Sequence, residues 1–205
     1  MKLLIATTNP DKLREIRAAL AETAIELVTL EGYPDIEAPD EVGTTFAENA
    51  RAKALYYAAR TNLPSVAEDS GLEVDALGGA PGVYSARFGG AGVSYARRFE
   101  LLYDALAAAR SKDSRARFVC ALALVEEHTV VFEARGTIEG RIAPEPKGDG
   151  GFGYDPVFYY PPFACTLAEA GDRKLSVSHR AEACRQLEEY LKDGDGAMRG
   201  KRRGQ

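Results

Sequence analysis

No stretch of this sequence approaches the roughly 18 to 20 apolar residues that cross a bilayer, and no basic head leads into a long apolar run. A soluble, cytoplasmic, unsecreted protein without a membrane partner is therefore expected. Cysteine is scarce, since Cys120, Cys165 and Cys184 stand far apart and none belongs to a C-x-x-C pair. That spacing argues against a structural zinc site or a redox dithiol and for reduced thiols. With no cysteine or histidine cluster, a metal site must draw on oxygen ligands. Excess positive charge is also missing. The net charge is −5, and residues 192–205 hold five basic against two acidic side chains, a surplus of +3 that leaves −8 on the rest. An acidic body does not seek a polyanionic duplex, so nucleic acid is not an expected partner.

What is present is enough apolar residue, 45% of 205, to bury a sizeable core. The chain reads as one catalytic-sized domain over 1–192, followed by a glycine- and charge-rich basic tail, 193–205. That tail has almost nothing to bury and is expected to be disordered.

Periodicity predicts a strand at Lys2–Ala6, then a helix over Pro10–Ala21 that faces Leu13, Ile16 and Leu20 inward, with Asn9 as its N-cap. A strand follows at Ala24–Leu30. A second helix starts near Thr45, where Thr45 and Glu48 match a capping box, with Phe46, Ala50, Leu55 and Ala58 toward the core. Ser65–Glu68 reads as a strand closing in an acidic turn, Glu68 to Gly71, before an alternating run at Leu72–Leu77. After a glycine-rich loop at Gly78–Gly92 come a helix at Ser94–Ser111 and a hairpin, Ala116–Val125 with Thr129–Arg135, turning at Glu126–His128. A second glycine-rich loop spans Lys147–Pro156, and a last helix begins at Ser178 with Leu187 and Leu191 inward. Strands and helices mixed without a repeat indicate an α/β or α+β fold around a twisted mixed sheet.

Several segments carry candidate chemistry. The first strand runs straight into Thr7-Thr8-Asn9-Pro10-Asp11-Lys12, so a helix N-terminus stands at a sheet edge, where it can bind phosphate. Lys12 near the third helical position opposes the helix dipole unless an anion binds there. The equal alternative is that Thr8 and Asn9 only cap the helix, with Lys12 solvated and offset by Asp11. His179 and Arg180 repeat the oddity at the start of the last helix, with Lys174 just upstream; a satisfied structural histidine is the alternative for His179. Glu68 and Asp69 put hard oxygen ligands beside small Ser70 and Gly71, which suits Mg²⁺ and a carboxylate base for phosphoanhydride hydrolysis; an acidic turn is the plainer alternative. The loop Gly151-Phe152-Gly153-Tyr154-Asp155-Pro156 combines an aromatic face and a carboxylate, as a base-stacking element does; by composition a turn with one buried aromatic is an equal alternative.

Taken together, Ala6–Lys12 with Glu15, Glu68–Gly82 with Ser85-Ala86-Arg87, Gly151–Pro156 and Ser178-His179-Arg180 resemble the inosine triphosphate pyrophosphatase family, also called Ham1-like. The resemblance runs from residue 3 to about 191. It implies an elongated α/β fold with two lobes around a central substrate cleft, a homodimer, and Mg²⁺-dependent hydrolysis of ITP, dITP and XTP to monophosphate and pyrophosphate. By position, Asp69 resembles the catalytic base and a metal ligand. Glu41 resembles the second metal acid, with Glu37, Asp40 and Glu68 as competitors. Thr7, Thr8, Asn9, Pro10, Asp11 and Lys12 resemble the triphosphate turn, and Lys53 a further phosphate contact. For Asn49, on the same helical face, a surface amide is the preferred reading. Ser70 resembles a substrate contact and Phe152, within Phe152-Gly153-Tyr154-Asp155, the platform under the purine. Asp155, Lys174, His179 and Arg180 resemble groups around the base edge, with Arg180 expected to set purine selectivity. A Maf-like nucleotide pyrophosphatase is the runner-up, and a nucleotide sensor without turnover the alternative from another class.

Overall fold

A computed structural model describes residues 2–110 and 114–201, apart from the side chains of 194–201. Its seven-stranded mixed sheet has the order β2-β1-β3-β4-β5-β6-β7. β1 (Lys2–Ile5) buries Leu3, Leu4 and Ile5 and pairs in parallel with β2 (Glu26–Thr29) and β3 (Ser65–Val74). Parallel neighbours need crossover connections. α1 (Pro10–Ala19) links β1 to β2, and α2 (Phe46–Thr61) precedes β3. The chain thus leaves β1 toward one neighbour and returns to the other. That makes the carboxyl end of β1 a topological switch point, where open α/β sheets place their ligand sites.

Both expected caps form. The Asn9 side chain accepts from the backbone N–H of Asp11 and Lys12, and Thr45 and Glu48 complete the capping box. Leu55 departs from expectation, being 38% exposed while Asn49, Ala54 and Tyr57 are buried. Phe46, Ala50 and Ala58 are buried as expected, and the polar Asn49 shares their face.

The acidic turn expected at Glu68–Gly71 does not exist, and β3 runs unbroken from Ser65 to Val74. Two carboxylates are tolerated in a buried strand only with partners, and those are supplied by distant segments described below. β2 is shorter than the run Ala24–Leu30, since Leu30 opens a 3₁₀ turn.

The segment Gly78–Gly92 holds a short 3₁₀ helix, Gly82–Arg87, which follows another at Asp75–Leu77. α3 (Tyr95–Ala108), capped by Ser94, ends before the expected Ser111, which lies outside the described residues. β4 (Arg115–Glu126) and β5 (Thr129–Ile142) form the expected hairpin, with Glu127 and His128 both at positive φ as a tight primed turn requires. β6 (Phe158–Tyr160) pairs antiparallel with β5 and with β7 (Cys165–Thr166). α4 (Arg173–Val177) and α5 (His179–Lys201) complete the chain. Helical backbone thus continues past residue 193, where a disordered tail was expected to begin, while 202–205 lie outside the described residues.

The chain divides into two compact units, each assembled from separated segments. The first comprises the chain through Asp69, Ala121–Gly136, and the chain from Arg180 onward. Its core includes Leu4, Ile16, Ala54, Val66, Leu122, Leu124, Ala183 and Leu187. The second comprises Ser70–Cys120 and Thr137–His179, around a core of Leu72, Leu102, Phe118, Ile138, Tyr154, Phe158 and Leu167. No described helix is long and apolar enough to cross a membrane.

Candidate active site

In the first unit the turn between β1 and α1 is rigidly tied. Asn9 Oδ1 accepts from the N–H of Asp11 at 2.9 Å and of Lys12 at 3.2 Å, and Thr7 Oγ1 accepts from Asn9 N–H. Thr8 and Pro10 are exposed. Asp11 pairs with Arg14 rather than with Lys12. Lys12 is not solvated: its ammonium lies 2.7 Å from Glu68 Oε1.

Glu68 anchors a buried charge network. Arg180 NH2 stands 3.6 Å from Glu68 Oε1, and Arg180 NH1 donates to Glu15 Oε2 at 2.5 Å. Burial by itself would raise the Glu68 carboxyl, but Lys12, Arg180 and Lys53 together hold it well below its ordinary value. The residue after it faces a different set of groups. Asp69 Oδ2 accepts from Asn49 Nδ2 at 2.9 Å, and Oδ1 lies 3.6 Å from the Lys53 ammonium. Burial, with Glu41 and Glu68 nearby, pushes the Asp69 carboxyl up, outweighing Lys53 and Asn49. Two adjacent carboxylates are thus driven apart in acidity by their surroundings, the pattern that separates a structural acid from a working base.

Lys53 also meets Glu41, at 2.6 Å. Burial disfavours its charge, but Asp69, Glu68 and Glu41 hold its pKa above the ordinary value. Asp69 and Glu41 therefore converge on one cation. No group of three or more His, Cys, Asp or Glu side chains suited to a metal gathers among the described residues. Two carboxylates are nonetheless what Mg²⁺ takes from a protein when water and substrate phosphates complete its shell, so this donor set fits that ion.

The second unit assembles the aromatic loop. Asp155 Oδ2 accepts from Phe152 N–H at 2.7 Å and from the Lys174 ammonium at 2.6 Å, and that ammonium sits 4.3 Å from the Phe152 ring centroid. Gly151, at φ +69°, leaves no room for a side chain, because a Cβ there would overlap Asp155 Oδ2. Gly153 adopts φ +66°, and the Tyr154 hydroxyl donates to Ser85 O at 3.0 Å. Ser70 lies half-buried on β3. His179 is buried and stacked on Phe118, ring centroids 5.0 Å apart.

Two outcomes differ from the sequence reading. Asn49 is no surface amide: it is 1% exposed and bonded to Asp69. Its four-residue spacing from Lys53 on one helix face was the available signal. Arg180, expected at the base edge, has its guanidinium against Glu15 and Glu68 in the first unit. Among the thiols, burial raises Cys184 to about 12, which leaves it protonated, and Cys120 is also buried.

A profile of the Ham1 family matches residues 3–190. The chain belongs to the Ham1 family. It is 46% identical over 197 residues to a dITP/XTP pyrophosphatase of Thermus thermophilus, covering 95% of this chain and 93% of that protein. A dITP/XTP pyrophosphatase of an Exiguobacterium species is 49% identical over 189 residues, 92% and 95% of the two chains. Among solved structures, the HAM1 protein of Coxiella burnetii matches with a TM-score of 0.88 at 38% identity, covering 94% of this chain and 99% of that one. The Ham1 protein of Staphylococcus aureus gives 0.84 at 34% identity, covering 95% and 100%. Family membership and the mixed α/β fold expected from the four sequence blocks are both borne out.

Proposed function

We propose that this Ham1-family protein hydrolyses non-standard purine nucleoside triphosphates, ITP, dITP and XTP, to the monophosphate and pyrophosphate, clearing them from the nucleotide pool. Relatives named dITP/XTP pyrophosphatase along nearly the whole chain support the substrate class. The observation that carries the chemistry is Asp69, a buried carboxylate with raised pKa placed between Asn49 and Lys53.

Asp69 serves as general base, accepting the proton of the attacking water while that oxygen bonds the α-phosphorus and the α–β anhydride bond breaks. A base whose pKa is raised toward the working pH drives proton transfer more strongly than an ordinary aspartate. Lys53 and Lys12 supply cations for the phosphates, the latter by exchanging Glu68 for a phosphate oxygen. Asp69 and Glu41 would hold Mg²⁺, whose role when bound is to neutralise charge on the phosphates. In the second unit Phe152 offers a stacking face, and Asp155 and Lys174 offer an acceptor and a donor for the base. Homodimerisation is proposed from the resemblance, and a cytoplasmic location from the scarce, widely separated cysteines.

Pyrophosphate release measured with ITP, XTP, dITP, GTP and ATP tests this reading. The first three should turn over far faster than GTP and ATP, and equal rates for all five would overturn it. Metal removal gives a second expected outcome: exhaustive EDTA treatment abolishes turnover and added Mg²⁺ restores it. Full activity after chelation would remove the metal from the scheme.

A further inference from the structure

Asn49 is buried on α2, one helical turn before Lys53, and makes two hydrogen bonds of opposite sense. Its Nδ2 donates to Asp69 Oδ2 at 2.9 Å, and its Oδ1 accepts from the backbone N–H of Gly43 at 2.8 Å. The reversed amide would set oxygen against carboxylate and NH₂ against N–H, so both bonds select the same orientation. Gly43 lies two residues after Glu41. The one amide therefore grips Asp69 directly and the backbone of the Glu41 segment at the same time. Lys53 spans the same two acids, at 2.6 Å from Glu41 and 3.6 Å from Asp69.

Gly43 is needed here for close approach. A Cβ at this position would stand 2.5 Å from Asn49 Oδ1 and 2.9 Å from Glu48 Cβ. Glu48 cannot easily give way, because its Oε2 accepts from Thr44 N–H at 2.8 Å, Thr44 Oγ1 at 2.9 Å and Thr45 N–H at 3.1 Å. Any side chain at residue 43 must displace the amide.

We propose that Asn49, locked by the Gly43 backbone, is a positioning residue that sets the separation of the Asp69 and Glu41 carboxylates. The inference rests on the metal-assisted hydrolysis proposed above. Groups that orient metal-binding carboxylates are worth roughly 10-fold to 100-fold in affinity or activity when removed.

The test uses Asn49→Ala, Gly43→Ala and the double variant of the full chain, with two readouts: steady-state constants for ITP, and Mn²⁺ affinity of the nucleotide-free protein by paramagnetic resonance. Each single variant should lose about 10-fold to 100-fold in kcat and a comparable factor in Mn²⁺ affinity, with KM for ITP little changed. In the Asn49→Ala background, Gly43→Ala should cost clearly less than it does alone, because the oxygen its methyl group strikes is gone and only the contact with Glu48 Cβ remains. Wild-type Mn²⁺ affinity in Asn49→Ala, or multiplicative losses in the double variant, would overturn the inference. Should Asn49→Ala not fold, Gly43→Ala decides alone, since it retains every side chain of the site; wild-type kcat and Mn²⁺ affinity there overturn it. Absence of pyrophosphate release by the wild-type protein would sink the hydrolytic reading instead, and the Mn²⁺ measurement would still judge the positioning role.

Discussion

Asp69→Asn should leave a folded protein that binds nucleotide but turns over at least about 100-fold more slowly, the usual loss when a general base is removed. The amide is nearly isosteric with the carboxylate and can still accept from Asn49, so the buried contact at 2.9 Å survives. What disappears is the basic oxygen and one negative charge beside Lys53 and Glu41. Steady-state pyrophosphate release, calorimetric binding of ITP and a melting curve separate these effects. Near-normal turnover would take Asp69 out of the mechanism, and loss of binding with turnover would mean that its charge serves the substrate complex.

Arg180→Ala should act first on stability. Arg180 is 1% exposed and neutralises Glu15 and Glu68, both of which are buried. Removing one partner of a buried ion pair typically costs about 3–5 kcal/mol, because the other charge is left uncompensated. At roughly 2–4 °C per kcal/mol for a chain of this size, the melting temperature should fall by about 6–20 °C. The pH dependence has a defined sign. The depressed Glu68 carboxyl contributes stability above the ordinary glutamate value, and that contribution is lost as pH falls through its folded value. Replacing Arg180 should therefore flatten the acid limb of the stability profile of the metal-free protein. The raised Asp69 carboxyl works the other way, costing stability as pH rises through its folded value. A wild-type melting temperature in Arg180→Ala would show that the ion pair contributes nothing. A narrowed ITP to ATP ratio in the same variant would instead give Arg180 the base-edge role that the family resemblance implies.

Local signals carried most of the fold. Asn9-Pro10 and Thr45 with Glu48 mark helix starts through bonds that span two to four residues, and a short sequence window contains all of them. The sheet's acidic centre was misread for the opposite reason. Glu68 and Asp69 look like a turn because carboxylates in a strand interior demand partners, and those partners come from α1, α2 and α5. The bond from Arg180 to Glu15 joins residues 165 positions apart. No periodicity announces a pairing at that distance. Asn49 was missed because polar residues on a helix default to solvent, although its spacing from Lys53 was visible. The family blocks contain Asp69 and the Phe152 to Asp155 loop, and the resemblance adds Lys53 by position. How these side chains are wired became legible only with coordinates.

The Asn9 cap has a consequence for any anion that reaches the start of α1. Its side-chain oxygen already occupies the N–H groups of Asp11 and Lys12, and Pro10 has none to give. Little of the fixed lattice of backbone donors usual at a helix start is left, and the principal attraction is one ammonium on a flexible four-carbon stem. Such a turn weighs the charge of a visiting group without measuring its shape.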